Sequence, residues 1–434
     1  MYRKIIKQLI DWQQDKHRKP LILEGARQTG KTYILQQFGK EHYQNVAYVN
    51  MENASDELKQ IFAGSISPYR IVHQLELMFG FAIHPKTTLL IFDEVQEVPR
   101  ALTSLKYFCE EAPEYHVAAS GSLLGIFMHP GTSFPVGKVD FMKMQPMDFE
   151  EFLVANGEQR LVNFARKNVN DLKFLTEKLH DYFKYYLVTG GMPEVVQSWI
   201  IEKNIEKIDK IQDSILQTYV RDFSKHAKKQ ESIRIKQVFD SLPEQFAKKN
   251  DKFVYDVVRQ GARAREYELA IEWLLSAGIA RRVNLVKCGD KMPLRAYRER
   301  NAFKLYFIDV GLFRHFAKIP TAVVIDKTAI FDEFNGLLAE QYVLQELSDY
   351  ELFYWTSGAQ AEVDFVTQIN NRIVPIEVKS GLKVKAQSLK VYREKYSPEL
   401  LIRFSLLPLE ENNGLLNIPL YYSFLFPIKN LIKK

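Results

Sequence analysis

Cysteine is almost absent from this chain of 434 residues, which contains only Cys109 and Cys288. Two isolated thiols exclude a disulfide framework and a zinc site of the Cys-x-x-Cys kind. No apolar run reaches the roughly 18 residues that a membrane-spanning helix needs, and charges interrupt the apolar positions of the N-terminal segment before a signal-peptide core can form. The sequence therefore predicts a cytoplasmic protein with reduced thiols and no membrane segment.

A strong excess of one charge is also lacking. Lysine and arginine number 59, aspartate and glutamate number 53, and 46% of the residues are apolar. This composition is typical of a folded globular protein and excludes a disordered chain. At about 150 residues per domain, the length predicts two to four domains. The net charge of +6 permits nucleic-acid binding without requiring it.

The most informative segment is GARQTGKT at residues 25–32, which follows a short apolar stretch. It matches G-x-x-x-x-G-K-[ST], a loop whose backbone N–H groups surround phosphate oxygens. In such a loop the lysine reaches the β- and γ-phosphates and the hydroxyl completes a magnesium shell. The alternative is an ordinary glycine turn. We assign nucleotide binding to Gly25, Ala26, Arg27, Gln28, Thr29, Gly30, Lys31 and Thr32, and a catalytic role to Lys31 as well.

An acidic pair follows a second apolar run. Residues 89–92 predict a central parallel strand, which ends in Asp93 and Glu94. Beside a phosphate-binding loop, Asp93 would hold Mg²⁺ through water and Glu94 would polarise the attacking water. The alternative is that the pair caps the end of the strand. The predicted cofactors are therefore ATP and Mg²⁺.

Two further features of an ATPase stay open at this level. The strand near residues 115–122 ends in Ser120 and Ser122, either of which would suit a polar sensor beside the γ-phosphate, although a plain Gly-Ser turn fits equally well. The residue that neutralises charge during hydrolysis cannot be chosen from the sequence. Its candidates are Arg27, Arg70, Arg100 and Lys138.

Six motifs occur in order along the chain: KPLILEGARQTGKT, LLIFDEVQEVP, ASGSLLG, VGKVDFMKMQPMDFEEFL, YLVTGGMPEVV and KLYFIDVGLF. Together they resemble prokaryotic ATP-binding proteins with an AAA-type N-terminal domain and a DUF4143 C-terminal domain. The resemblance covers almost the whole chain. It implies an AAA-like ATPase core, a helical or winged-helix middle, and a C-terminal domain similar to restriction-endonuclease folds. Many relatives carry arginine where this chain has Lys138, and lysine lacks the planar bidentate fork of arginine.

The middle of the chain reads as helical, and residues 232–286 predict a helix, a short helix, a longer helix and a strand. This is the order of elements in a winged helix, whose basic recognition helix contacts phosphates and bases of DNA. The alternatives are a solvated charged face and a protein-binding module. The arginines in this segment are Arg259, Arg263, Arg265, Arg281 and Arg282.

Near the C-terminus, residues 361–381 predict a β-hairpin that turns at Asn370 and Asn371. Strand alternation places Glu377 and Lys379 on one face, where Asp364 of the opposite strand meets them. This is the D…E-x-K arrangement of PD-(D/E)XK nucleases, in which two carboxylates hold Mg²⁺ and the lysine orients or deprotonates water.

We therefore predict a catalytic role for Asp364, Glu377 and Lys379. The predicted ligands of the nuclease magnesium are Asp364, Glu377 and Glu340, which lies on the preceding helix. The alternative is a nuclease-like fold that binds DNA or a partner without cutting it.

The combined interpretation is an α/β protein of three parts. An AAA-like P-loop domain with a parallel sheet covers residues 1–155, a helical and winged-helix region covers 156–296, and a restriction-endonuclease-like α/β domain covers 297–434. The predicted function is ATP hydrolysis coupled to an action on nucleic acid, with DNA favoured and an oligomer possible. A regulatory switch with a silent C-terminal domain is the alternative. A role in a mobile element or in defence is a third interpretation.

Overall fold

A computed structural model describes residues 1–121, 135–247, 252–326, 332–358, 361–381 and 387–427. The chain forms two compact units. The first comprises Met1–Gln145 and the short segment Ser276–Gly278, and the second comprises Pro146–Leu275 and Ile279–Lys434. Each unit contains a sheet of its own. No helix within the described ranges has the length and apolar character that crossing a membrane requires.

The first unit contains a five-stranded parallel sheet in the order β2-β3-β4-β1-β5. Its elements are α1 (Ile5–Gln14), β1 (Leu21–Glu24), α2 (Lys31–His42), β2 (Asn45–Asn50), α3 (Asp56–Ala63), α4 (Pro68–Phe79), β3 (Thr88–Asp93), a 3₁₀ turn (Val95–Glu97), α5 (Pro99–Glu111), β4 (His116–Gly121) and β5 (Asp140–Lys143).

Helices cover both faces of this sheet, which explains why its central strands are apolar throughout. In β3, Leu89 and Ile91 pack with side chains of α1 and α2. The alternate residues Leu90 and Phe92 pack with side chains of α3, α4 and α5. Successive residues of a strand point to opposite faces, so a continuous apolar run is required here. Strand β4 lies between β1 and β3, and the carboxyl ends of all three strands therefore share one edge of the sheet.

The second unit begins with helices and ends in a mixed sheet. Its elements are α6 (Phe149–Ala155), α7 (Gln159–Lys167), a 3₁₀ segment (Val169–Leu175), α8 (Thr176–Thr189), α9 (Pro193–Glu202), α10 (Ile205–His226), α11 (Lys229–Ala247), α12 (Tyr255–Val258), α13 (Ala264–Ser276), β6 (Ala280–Val286), a 3₁₀ turn (Leu294–Tyr297), β7 (Arg298–Phe307), α14 (Val310–Phe316), α15 (Thr321–Asp326), α16 (Asp332–Glu346), β8 (Phe353–Thr356), β9 (Glu362–Ile369), β10 (Arg372–Val378), α17 (Gln387–Tyr396), β11 (Leu401–Ser405), β12 (Glu410–Asn412), β13 (Leu415–Pro419) and a final 3₁₀ segment (Leu420–Leu425).

The sheet of the second unit has eight strands in the order β12-β13-β11-β10-β9-β8-β6-β7. Strand β6 pairs with β7 antiparallel and with β8 parallel. This arrangement differs from the expected three-part division, because β6 lies before residue 297 and yet belongs to the C-terminal sheet. Helix α6 likewise belongs to the second unit, although residue 155 was the expected end of the first domain. Contacts between segments distant in sequence determine these two domain boundaries, and the local amino-acid composition does not reveal them.

A buried carboxylate joins two of the motifs found in the sequence. Asp309 accepts hydrogen bonds from the N–H groups of Gly191, at 2.6 Å, and Leu312, at 2.9 Å. The Gln345 amide donates to the same carboxylate at 3.2 Å. A Cβ atom at Gly191 would lie 1.9 Å from the main-chain oxygen of Met147, so this position requires glycine. Burial raises the pKa of Asp309, and the donated hydrogen bonds oppose that rise. The TGGMP and IDVG segments are therefore explained by packing.

Candidate functional site

The loop between β1 and α2 has the backbone geometry that phosphate binding requires. A Cβ atom at Gly25 would lie 2.3 Å from the main-chain oxygen of Met144, so no larger residue fits there. Gly30 adopts a φ of 93°, and the Thr29 hydroxyl donates to the main-chain oxygen of Ala26 at 2.8 Å. The loop is thus closed on itself, and α2 begins directly after it. The unpaired N–H groups of a helix start favour an anion.

Two further loop positions are more accessible. Gln28 is exposed and adopts a φ of 64°, which non-glycine residues rarely do. Arg27 is partly buried, and its charge is close enough to Lys31 to lower the pKa of that lysine. Both residues therefore lie in the loop as expected, and their role toward a nucleotide stays a prediction.

Lys31 lies inside the loop. Its Nζ donates to the main-chain oxygens of Gly25, at 3.0 Å, and Ala26, at 2.9 Å. Burial is the largest cause that lowers the pKa of Lys31, and the carboxylates of Glu94 and Asp93 oppose this effect. The ammonium group is thus held beside the phosphate-binding backbone by weak neutral acceptors, which phosphate oxygens would readily replace.

Asp93, at the end of β3, accepts hydrogen bonds from three hydroxyl groups, which belong to three other elements. Thr32, at the start of α2, donates at 3.0 Å to both carboxylate oxygens. Ser120 of β4 donates to Oδ1, and Tyr48 of β2 donates to Oδ2 at 2.7 Å. The structure therefore brings Thr32, Asp93 and Ser120 together. Ser122, the other sensor candidate, lies outside the described residues.

Tyr48 was missed by the sequence analysis. It lies opposite Ile91 in the pairing of β2 with β3, two residues before Asp93 on that strand. Its hydroxyl therefore has to reach along the sheet to contact the carboxylate. Burial is the largest cause that raises the pKa of Tyr48, and its bond to Asp93 adds to the rise, so the hydroxyl is a donor at neutral pH. A tyrosine two positions before the end of a neighbouring strand was the only available signal.

Thr32 and Asp93 fit a magnesium ion. Their donor atoms are oxygens, which this hard cation prefers. The contact between them shows that hydroxyl and carboxylate face the same space at the edge of the sheet. Glu94 follows immediately, and the side-chain amide of Gln96 donates to its Oε2 at 2.5 Å. The predicted acid pair thus stands at the strand end that faces the loop.

Three candidates for the charge-neutralising residue are engaged elsewhere. Arg70 donates to the main-chain oxygens of Ile61 and Ser65 at 2.8 and 2.6 Å. Arg100 donates to the oxygens of Phe62 and Gly64 at 2.7 and 2.6 Å, so both guanidinium groups satisfy carbonyls at the end of α3. Lys138 pairs with Glu110 at 3.0 Å. These contacts give all three residues a structural explanation.

The five arginines of the middle region do not form a single basic face. Arg281 is committed to the main-chain oxygen of Leu344 at 2.8 Å, and burial lowers the pKa of Arg281 to about 10. Arg282 pairs with Glu272 at 2.8 Å and its guanidinium lies 4.5 Å from the ring centre of Phe303.

The other three arginines lie nearer the start of α13. Arg259 pairs with Glu266 at 3.0 Å. Arg263 and Arg265 are exposed where α13 begins. Of the five arginines, Arg259, Arg263 and Arg265 are thus exposed, and Arg259 is held in an ion pair.

The predicted hairpin near the C-terminus is confirmed. Strands β9 and β10 pair antiparallel, and Asn370 and Asn371 connect them with φ angles of 48° and 63°. The pairing sets Ile376 opposite Phe365, and just beyond it the Val378 N–H donates to Asp364 Oδ2 at 2.7 Å. Lys379 Nζ lies 3.1 Å from Glu377 Oε1. The structure therefore brings Asp364, Glu377 and Lys379 together at one end of the hairpin.

The charges of this group are strongly perturbed. Burial raises the pKa of Glu377, Lys379 opposes that rise and Asp364 adds to it. Burial also works against the charge of Lys379, but Asp364 and Glu377 outweigh it and raise the pKa of that lysine. Glu377 is 1% exposed, and its Oε2 has no hydrogen-bond partner within the described part of the chain. An unpartnered buried carboxylate oxygen is costly and often marks a functional site.

Glu340 of α16 lies close enough to respond to these charges. Burial raises the pKa of Glu340 to about 8, and the Asp364 carboxylate adds to this effect. The Tyr306 hydroxyl donates to Glu340 Oε2 at 3.4 Å. Lys304 of β7 forms an ion pair with Glu362 of β9. The sequence did not indicate this pair, because β8 and β6 lie between these two strands in the sheet. In the sequence, Lys304 and Glu362 are marked only by their alternation with apolar residues along their strands.

A three-acid metal site is not formed in this arrangement. Across the described ranges, no group of three or more histidine, cysteine, aspartate or glutamate side chains is placed to hold a metal ion. The expected set Glu340, Asp364 and Glu377 is therefore not assembled as a single ligand group. Asp364 is close enough to Glu377 to raise the pKa of that residue, and oxygen donors of this kind suit Mg²⁺.

Comparison with family models finds three consecutive matches. A model described as an AAA domain matches residues 17–153. Two models described as domains of unknown function, DUF8612 and DUF4143, match residues 180–322 and 335–422. The chain therefore contains an AAA domain, which includes the loop and the acid pair, and a DUF4143 domain, which includes the hairpin. These two domains were expected from the motifs. A search of curated proteins gave no match.

Several solved structures are distantly similar to this chain. The Aeropyrum pernix ORC1 protein in complex with DNA is 11% identical, with a TM-score of 0.30 over 74% of this chain and 92% of that one. Drosophila ORC bound to DNA is 12% identical, with a TM-score of 0.29 over 72% and 93%. PCH-2 of C. elegans is 11% identical, with a TM-score of 0.29 over 46% and 63%. Scores this low carry no argument about function.

Proposed function

We propose that the first unit hydrolyses ATP and that hydrolysis drives or gates an action on nucleic acid. The observation that carries the proposal is the convergence of hydroxyl groups from Thr32, Ser120 and Tyr48 on the Asp93 carboxylate. Lys31 lies in the adjoining loop and Glu94 follows Asp93 directly. The AAA-domain match over these residues supports the proposal.

The residues suggest how the reaction would proceed. When bound, magnesium would supply positive charge that offsets the negative charge of the phosphates. The loop N–H groups and the start of α2 would hold the phosphates, while Lys31 would exchange its carbonyl partners for phosphate oxygens. Thr32 and Asp93 would hold the ion. Glu94 would orient the attacking water and accept its proton on the carboxylate.

The second unit offers a surface for nucleic acid. Helices α11, α12 and α13 are followed by the antiparallel pair β6 and β7, which is the order of elements in a winged helix. Arg263 and Arg265 are exposed at the start of α13, the third helix of this series. We propose that these two arginines contact phosphates of DNA, since arginine binds phosphate bidentately.

ATP hydrolysis by the full chain tests both parts of the proposal. The rate is measured with Mg²⁺ alone and with added duplex DNA, single-stranded DNA or RNA. We expect Glu94→Gln to bind ATP but to hydrolyse it at least about a hundredfold more slowly, the usual scale for loss of a general base. A wild-type rate in this variant would refute the assignment. If no nucleic acid binds or changes the rate, the ATPase stands and the regulatory switch replaces the nucleic-acid role.

A metal-dependent nuclease in the DUF4143 domain is the second candidate. The unpartnered buried Oε2 of Glu377, next to Lys379, favours it. Asp364 and Glu377 would hold the magnesium ion, and Lys379 would position the attacking water.

The test incubates plasmid, linear DNA and RNA with the protein and Mg²⁺ or Mn²⁺. We expect Asp364→Ala to abolish cleavage and to leave ATP hydrolysis intact. Absence of cleavage by the wild-type chain would favour a domain that binds without cutting.

A further inference from the structure

Gln96 is a buried amide whose two ends are unequally satisfied. The residue is 1% exposed, its Nε2 lies 2.5 Å from Glu94 Oε2, and its Oε1 is buried with no hydrogen-bond partner among the residues that the structure describes. An unpartnered buried acceptor is unfavourable. The reverse orientation of the amide would bring two oxygen atoms together at the Glu94 carboxylate. The bond to Glu94 therefore determines how this side chain is oriented.

The backbone conformation after β3 places Gln96 next to Glu94. Glu94 adopts φ 50° and ψ 48°, a left-handed conformation that is uncommon for a residue with a side chain. The 3₁₀ turn Val95–Glu97 follows, and the Glu97 N–H donates to the main-chain oxygen of Glu94 at 3.0 Å. Val95 is fully buried and anchors the turn. The tight turn brings the side chain of Gln96 back onto Glu94. Strained backbone of this kind is found preferentially at functional sites.

We propose that Gln96 is a positioning residue for ATP hydrolysis, which orients the Glu94 carboxylate through its side-chain amide. The inference rests on the proposed role of Glu94 as the group that activates water. A base fixed in one orientation reaches the transition state with little further loss of freedom. The nucleotide itself is held by the loop and by Lys31. Loss of Gln96 should therefore lower turnover without weakening the binding of ATP.

The chain contains a matched control for this contact. Gln37, on α2, donates its Nε2 to Glu41 Oε1 at 2.9 Å, and its Oε1 is also buried without a partner in the described ranges. Gln37 and Glu41 both lie on α2 after its first turn and away from the end of β3. Methionine is unbranched and of similar length to glutamine, so Gln96→Met and Gln37→Met remove the donor with little change in shape.

The experiment measures kcat, the Kd for ATP and the melting temperature of the full chain. The variants are Gln96→Met, Gln37→Met, Glu94→Gln and the double variant Glu94→Gln/Gln96→Met. We expect Gln96→Met to lower kcat about tenfold or more at unchanged Kd, because it loses a bond to a charged catalytic group. Gln37→Met should match the wild type. The double variant should equal Glu94→Gln alone, since residues that act through one another are non-additive.

Three results separate the possible failures. Wild-type turnover in Gln96→Met, or a further loss in the double variant, would overturn the positioning role. A wild-type rate in Glu94→Gln would instead refute the proposed function on which the inference rests. If Gln96→Met shows no melting transition, Gln96→Leu removes the same donor without placing a charge beside Glu94. That variant must then show the same loss of turnover at unchanged Kd.

Discussion

The raised pKa of Glu340 predicts that the stability of the second unit depends on pH. Burial is the largest cause that raises the pKa of Glu340 from 4.5 to about 8; the Asp364 charge adds to it and Lys304 opposes it. A raised pKa means that folding favours the protonated carboxyl. The contribution of Glu340 to stability is therefore complete below about pH 4.5 and is lost as the pH rises through about 8.

Glu340→Gln replaces the protonated carboxyl by a neutral amide of the same shape. One pKa unit corresponds to about 1.4 kcal/mol, so the raised pKa sets an upper limit of about 5 kcal/mol for the gain at alkaline pH. The attraction of Lys304 for the charged carboxylate is already included in that pKa, and the gain falls below the limit where the surroundings of the carboxylate relax. We expect the variant to raise the free energy of unfolding by on the order of 2 kcal/mol at pH 8.5 and by less than about 0.5 kcal/mol at pH 4.5.

Urea unfolding followed by tryptophan fluorescence measures this effect. Three of the four tryptophans, Trp199, Trp273 and Trp355, lie in the second unit, so a Trp12→Phe background restricts the signal to that unit. Glu394→Gln is the control, because its side chain is 65% exposed and its removal should change stability little at either pH. An equal effect of Glu340→Gln at both pH values, or a loss of stability at pH 8.5, would refute the reasoning.

Three other changes test the proposed nucleotide site and the exposed arginines of the second unit. Lys31→Ala should abolish ATP hydrolysis and weaken ATP binding while the chain stays folded, which nucleotide titration and circular dichroism would measure; normal turnover would remove the loop from the mechanism. Tyr48→Phe deletes one of the hydroxyl donors to Asp93 and should lower kcat by roughly three- to tenfold and raise the Mg²⁺ concentration for half-maximal rate; an unchanged Mg²⁺ titration would contradict this. Arg263→Ala combined with Arg265→Ala should weaken DNA binding uniformly and reduce the salt slope by about 2, measured by fluorescence anisotropy. Arg259→Ala is the control, and an equal loss there would argue against a specific surface.

Local chemistry made several features predictable. The spacing of Gly25, Gly30 and Lys31 determines a phosphate-binding loop, because only certain residues accept its backbone angles and close contacts. The apolar run of β3 determines a strand buried on both faces. Alternation and the Asn370–Asn371 turn determine the hairpin and its register, since a one-residue shift would move Glu377 to the opposite face.

Other features depend on pairings between distant segments. Nothing near Tyr48 shows that its hydroxyl reaches Asp93, because that contact follows from the order of β2 and β3 in the sheet. The arginines of the middle region look alike in the sequence, yet Arg281 is half-buried and donates to a carbonyl of α16 while Arg263 stays exposed. Whether a charged side chain has a structural role or is available for binding therefore depends on the residues that surround it in the fold.

The sequence by itself determined the motifs, the strands and helices that carry them, and the residue types available for chemistry. These follow from backbone sterics, turn chemistry and hydrophobic periodicity, which act over a few residues. Only the tertiary structure decided that β6 joins the C-terminal sheet, that Glu340 lies half-buried near Asp364, and that the Gln96 amide is oriented on Glu94. Strand order, burial and the resulting local electrostatics arise from packing between segments far apart in the chain, so no local pattern encodes them.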